Sequence, residues 1–121
     1  MNDFDITIIG GGIVGLATAM YAQNKYPKKS IAVFDFDNLS GEKMGDFLCS
    51  GIRANIHSQL TKLGKLDVKS RSVSKKNKIK DLDLDYYIEG ELLETGEYKQ
   101  INVSLVNAKS HSIIFDNQYK V

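Results

Sequence analysis

The residues of this sequence with the clearest chemical meaning are three glycines followed by an acid. Gly10, Gly12 and Gly15 form a Gly-x-Gly-x-x-Gly pattern, and Asp35 lies twenty residues after the last glycine. In such a pattern the glycines permit a tight turn, close approach of the backbone to a pyrophosphate, and close packing of a helix on a strand. An acid after the next strand accepts hydrogen bonds from ribose hydroxyls and repels a 2′-phosphate. The spacing therefore predicts a dinucleotide site that disfavours NADP.

The elements needed to position these residues are predicted around them. Residues 6–9 form an apolar run typical of a buried parallel strand, and apolar residues recur at helical spacing from 13 to 21. Pro27 ends that helix, and residues 31–34 form a second strand that ends at Asp35. A right-handed crossover would make the two strands parallel neighbours, and the free N–H groups at the helix start would bind the pyrophosphate. The predicted cofactor-binding residues are Gly10, Gly11, Gly12, Ile13, Val14, Gly15 and Asp35. The alternative is a strand-to-helix turn without a ligand.

The rest of the chain predicts one more helix and a group of strands. Ser50 is a suitable cap for a helix that runs to Leu63 and stops at Gly64. Residues 62–80 contain eight Lys or Arg, and residues 81–97 contain seven acids and no base. Such a sharp separation of charge is typical of a solvated linker that is followed by a paired element. Residues 101–105 alternate at strand period and residues 112–115 are rich in β-formers, which predicts a small antiparallel sheet.

These patterns indicate the α/β class, with a Rossmann-like βαβ unit followed by a helix and a small antiparallel β-rich C-terminal part. The expected division is a dinucleotide-binding unit at 1–67, a basic linker at 68–80 and a β-rich segment at 81–121. A length of 121 residues suits one small domain, and the net charge of +1 supplies no overall field for nucleic acid or membranes. The single cysteine favours a reducing, cytoplasmic location, and no targeting segment is recognisable.

Residues 4–35 resemble the N-terminal FAD-binding segment of the flavoprotein oxidoreductase and monooxygenase superfamily, which has a GGGIxGLxxA string near its N-terminus. The resemblance implies FAD as the cofactor rather than NAD. Residues 44–67 are similar to the tryptophan halogenase and geranylgeranyl reductase branch. The matching residues are Gly45, Asp46, Leu48, Leu63 and Gly64. The first thirty-five residues are equally similar to the 2-hydroxyglutarate oxidase and amino-acid oxidase group, which remains an alternative.

The remaining polar residues have simpler interpretations. Cys49 is expected to pack rather than react, because lone cysteines most often act as small apolar residues. His57 and His111 have no metal-binding partners at ligand spacing, so no metal site is predicted. The lysine-rich run at 69–80 lacks interleaved aromatic residues, and nucleic-acid binding is therefore not favoured.

The resemblance implies an FAD-binding module of a flavin-dependent oxidoreductase or monooxygenase, halogenase-like in its second segment. Its partners would be FAD and a second polypeptide that completes the fold, with no membrane. The chain is too short to contain a complete active site, and no catalytic residue can be named. Two alternatives stay open, namely a non-catalytic nucleotide-binding subunit and a truncated, inactive fragment of a flavoprotein.

Overall fold

The computed structural model describes residues 9–17, 29–70, 83–94 and 96–120, and these residues form a mixed α/β fold. The α/β class predicted from the sequence is confirmed. Within the described residues, two helices accompany an open six-stranded sheet that is partly parallel. Helix α1 contains residues 9–17, and helix α2 spans Met44–Leu63. The strands are β1 (Ser30–Val33), β2 (Asp37–Asn38), β3 (Asp67–Val68), β4 (Tyr86–Glu94), β5 (Lys99–Asn107) and β6 (Ile113–Lys120).

The sheet joins the two halves of the chain. Its order is β3-β1-β4-β5-β6, and β2 pairs with β4 beyond the end of β1. Strand β1 is parallel to both β3 and β4, whereas β4, β5 and β6 form an antiparallel meander. Strands β1 and β4 are therefore neighbours, although they lie on opposite sides of the basic segment in the sequence.

The prediction that residue 9 ends a strand and that Gly10 makes a turn is wrong, because residues 9–17 are helical. Ile9, Ile13 and Ala17 recur at intervals of one helical turn and are all buried in the main core. Their burial stabilises a helix through the glycine positions, even though glycine has low helix propensity. The predicted strand residues 6–8, the helix residues 18–21 and the turn at Pro27 lie outside the described residues.

Helix α2 ends where the sequence predicts but begins six residues earlier. Gly64 follows its last turn with a φ of 66°, a left-handed conformation that glycine adopts at low cost. The predicted start at Ser50 is wrong because Asn38 stabilises an earlier start at Met44. Its side-chain amide donates to the Glu42 carbonyl at 2.7 Å and to Asp46 Oδ1 at 2.9 Å.

The main core lies between the helices and one face of the sheet. The α2 residues Ile52, Ile56 and Leu60 are fully buried there, against sheet residues such as Ile88 and Leu105. A smaller apolar cluster lies on the opposite face, where the rings of Phe34 and Tyr87 stack with centroids 5.0 Å apart. In the part of the chain that the structure describes, no helix has the length and apolar character needed to cross a membrane.

Candidate functional site

Two of the four glycines predicted to bind the cofactor, Gly10 and Gly12, lie at close contacts between α1 and its neighbours. A Cβ on Gly10 would collide with the Asn55 side chain of α2, and a Cβ on Gly12 would lie 3.1 Å from the Tyr119 hydroxyl of β6. Gly11 and Gly15 face open space instead. The predicted residues Ile13 and Val14 are buried in the core. Gly10 and Gly12 thus allow a helix to pack closely, which is a structural use of glycine.

Asp35 follows β1 as predicted and forms an ion pair with Arg53. Its Oδ1 atom lies 3.3 Å from the Nε atom of Arg53, whose side chain is buried, while the Asp35 side chain is 53% exposed. A buried guanidinium is costly without a counter-charge, and Asp35 supplies one. The pair lies in a cavity of about 240 Å³ that is also lined by Asp46 and Cys49.

Arg53 was not predicted from the sequence as a site residue. It follows Ile52 and lies four residues after Cys49, on the buried side of α2. A charged residue at such a position of an apolar helical stripe indicates a buried ion pair, and this signal was available in the sequence.

Cys49 is buried, and its thiol lies 3.9 Å from the carbonyl oxygen of Asp37. Burial, together with the nearby negative charges of Asp46 and Asp37, raises the pKa of Cys49 to about 11. The thiol therefore stays protonated at neutral pH, where it is a poor nucleophile and a poor metal ligand.

The two histidines occupy separate places in the fold. His57 Nε2 lies 3.1 Å from the carbonyl oxygen of Lys69, and His111 lies in the turn between β5 and β6 with a φ of 58°. Across the described ranges, no group of three or more His, Cys, Asp or Glu side chains is placed to hold a metal ion.

Strand β6 is one edge of the sheet in the described part of the chain, and the two-residue strand β3 is the other. Among the described strands β6 pairs with β5 alone, so the N–H and C=O groups along its outer side point away from the sheet. Phe115 and Tyr119 pack against the main core, whereas Asp116, Gln118 and Lys120 are exposed. We call the stretch from Phe115 to Lys120, which pairs regularly with β5, the β6 edge.

The exposed face of the sheet beside the β6 edge is polar. Gln100 donates to Asn102 Oδ1 at 2.8 Å, and Asn102 donates to Glu91 Oε1 at 3.1 Å. At the end of this face, the Lys120 Nζ atom lies 4.5 Å from the centre of the Tyr98 ring, within the range of a cation–π contact. The β6 edge is therefore bordered by ordered polar side chains on one face and by the core on the other.

Comparison with protein families assigns the chain to a class of transcriptional regulators. Residues 27–121 match the family described as HilA/YgeH-like transcriptional regulator, second domain. The chain belongs to this family. A search of curated proteins finds no significant match.

Solved structures with a similar fold include two LpoB C-terminal domains. The Escherichia coli domain has a TM-score of 0.62 at 10% identity, and the alignment covers 93% of this chain and 96% of that one. The Salmonella enterica domain has a TM-score of 0.60 at 12% identity, with coverage of 89% and 93%. Lipoprotein GNA1162 from Neisseria meningitidis has a TM-score of 0.57 at 14% identity, with coverage of 76% and 78%. At these identities the likeness shows the fold alone.

The family match overturns the flavoprotein interpretation. The resemblances to the halogenase and reductase branch and to the oxidase group are wrong, because the family is a regulator domain. FAD, NAD and NADP are accordingly withdrawn as cofactors, and FAD is withdrawn as a partner together with the polypeptide that was to complete its fold. The predicted oxidoreductase module, the nucleotide-binding subunit and the flavoprotein fragment are wrong for the same reason.

Proposed function

We propose that this domain assembles its transcriptional regulator into dimers by pairing the β6 edge with the same strand of a second copy. The observation that carries the proposal is the open outer side of β6, an eight-residue strand with β5 as its neighbour in the described sheet. Main-chain groups along such an edge form a template to which another strand can add.

The sequence of β6 is compatible with pairing at this edge. Sheet edges that avoid pairing are usually short, contain proline or charged side chains, or are bent by bulges. The two charged residues of the β6 edge, Asp116 and Lys120, are of opposite sign, so they can attract each other across two copies. Strand β6 contains no proline, and its one irregularity, opposite Leu105 and Val106, lies before the regular stretch. The half-buried rings of Phe115 and Tyr119 also fix the strand to the core, so little ordering entropy is lost when the edge pairs.

A dimer suits the family to which the chain belongs. Regulators that bind DNA commonly do so as two-fold symmetric dimers, because two half-sites on the duplex then meet two identical subunits. An assembly domain supplies that symmetry without contacting the DNA.

Proline substitutions at neighbouring positions of β6 test the proposal. Successive residues of a strand direct their N–H groups to opposite sides. Of the two variants Asn117→Pro and Gln118→Pro, one therefore loses an N–H that faces β5, and the other loses an N–H on the open side. We expect a lower melting temperature for the variant that loses the N–H facing β5, and an unchanged melting temperature for the variant that loses the N–H on the open side. Sedimentation velocity over a wide concentration range then measures the dimer fraction of the well-folded variant.

We expect the parent chain to dimerise and the well-folded proline variant to remain monomeric. A parent chain that stays monomeric at high concentration contradicts the proposal. So does a well-folded proline variant that dimerises as strongly as the parent.

A further inference from the structure

We infer that the two copies pair in one antiparallel register, with the two-fold axis at Gln118 and with Asp116 of each copy opposite Lys120 of the other. This inference rests on the proposed assembly at the β6 edge and adds to it the residues that select the partner and the register. Main-chain hydrogen bonds alone do not select a register, because every residue offers the same groups. Side chains must therefore make the selection.

The charges on the exposed face of β6 are arranged symmetrically about Gln118. Strand alternation places Asp116, Gln118 and Lys120 on the same face, with the acid two residues before the amide and the base two residues after it. Their neighbours on β5 are uncharged, since Asp116 pairs with Ser104 and Lys120 pairs with Gln100. Opposite charges at equal distances from a central residue are self-complementary in an antiparallel pair.

Other registers lack this complementarity. A two-fold axis perpendicular to the sheet keeps each side chain on its own face, so it passes through a residue that meets its own copy. An axis at Asp116 would place two carboxylates directly opposite each other, which is unfavourable. An axis at Asn117 would place Lys120 opposite Ile114 and Asp116 opposite Gln118. The axis at Gln118 forms two Asp116–Lys120 pairs, and directly opposed Cβ atoms about 5 Å apart allow their charged groups to meet.

Lys120 also has a contact within its own copy. Its ammonium group lies over the Tyr98 ring, at 4.5 Å from the ring centre, on the same polar face. Tyr98 directly precedes β5, so this contact holds the ammonium group on the inner side of β6, and the ion pair across the open side forms in exchange for it.

Charge reversal at the two positions tests the register. In Asp116→Lys and in Lys120→Asp, every cross-subunit pair consists of like charges, whereas the double variant D116K/K120D restores opposite charges in exchanged positions. Lys65→Asp is the control for K120D, because Lys65 is exposed in the turn after α2 and the net charge changes by the same amount. Dimer dissociation constants are measured by sedimentation at low ionic strength, and circular dichroism checks that each variant is folded.

Each single reversal is expected to weaken the dimer by roughly tenfold or more, because two favourable pairs become two repulsive ones. The double variant is expected to recover most of the parent affinity, and the control to keep it. If the proline variant is monomeric but both single reversals dimerise like the control, the register is overturned while assembly through the β6 edge stands. If the parent is monomeric, the proposed function fails first and the register fails with it.

Discussion

Replacement of Leu105 by alanine is expected to lower the free energy of unfolding by about 3 kcal/mol, and this is the largest effect that we expect from one substitution. Leu105 has no exposed surface and lies in the middle of the sheet, between Ile88 of β4 and Phe115 of β6. Truncation removes buried methyl groups and leaves a cavity that close-packed neighbours fill only in part. Urea denaturation followed by circular dichroism measures the loss.

Leu39→Ala is the matched control for this prediction, because Leu39 is 57% exposed and the same atoms are removed. We expect a change of less than about 0.5 kcal/mol in that variant. Equal losses in the two variants would contradict the position of β5 in the core. The Leu105 variant should also dimerise less, since β5 holds β6 in place.

The second large effect is expected at Gly90, where alanine should cost about 2 kcal/mol. A Cβ at this position would lie 2.6 Å from the backbone carbonyl oxygen of Asn102 and 2.7 Å from the Phe36 ring. The carbonyl belongs to the paired strand β5 and cannot move without distortion of the ladder, so the clash is not relieved cheaply. Thermal and urea unfolding of Gly90→Ala measure the destabilisation.

Gly15→Ala provides the comparison, because Gly15 is helical and a Cβ there meets no atom within 4 Å. Alanine has the higher helix propensity, so we expect this variant to be unchanged or stabilised by up to about 1 kcal/mol. A large loss at Gly15 would show that α1 packs differently from the structure described above. A loss at Gly90 without a loss at Gly15 would show that the cost comes from the contacts with Asn102 and Phe36 and not from the glycine-to-alanine change itself.

The elements predicted best from the sequence were those with strong local signals. The apolar run at 31–34 corresponds to β1, the alternation at 101–105 lies in β5, and Gly64 ends α2. Local patterns could not predict that β4 would lie between β1 and β5, because this order depends on pairing between distant segments. The early start of α2 also depends on such a contact, since Asn38 reaches it from outside the helix.

The functional interpretation failed because glycine spacing reports only where Cβ atoms are absent. A pyrophosphate and a neighbouring side chain both require such space, and at Gly10 and Gly12 the neighbours are Asn55 and Tyr119. The acid at position 35 was similarly ambiguous, since a carboxylate can accept hydrogen bonds from a ribose or neutralise an arginine. Its partner Arg53 becomes evident only when α2 is packed against the end of β1.

The parallel pairing of β1 has a consequence for the order of folding. Only a few residues separate β4 from β5 and β5 from β6, so a contact such as that of Glu94 with Lys99 closes a short loop. The contacts of Ile31 with Val68 and with Tyr86 form only after long loops have closed. Loop closure of that kind slows the search for native contacts. We therefore expect pulse-labelling hydrogen exchange to find β5 amides protected before those of β1, and simultaneous protection would contradict this sequence of events. Until β1 docks, the meander of β4, β5 and β6 would expose two unpaired strands that can associate with other chains. One is β6, which remains an edge of the folded sheet, and the other is β4, which β1 later covers.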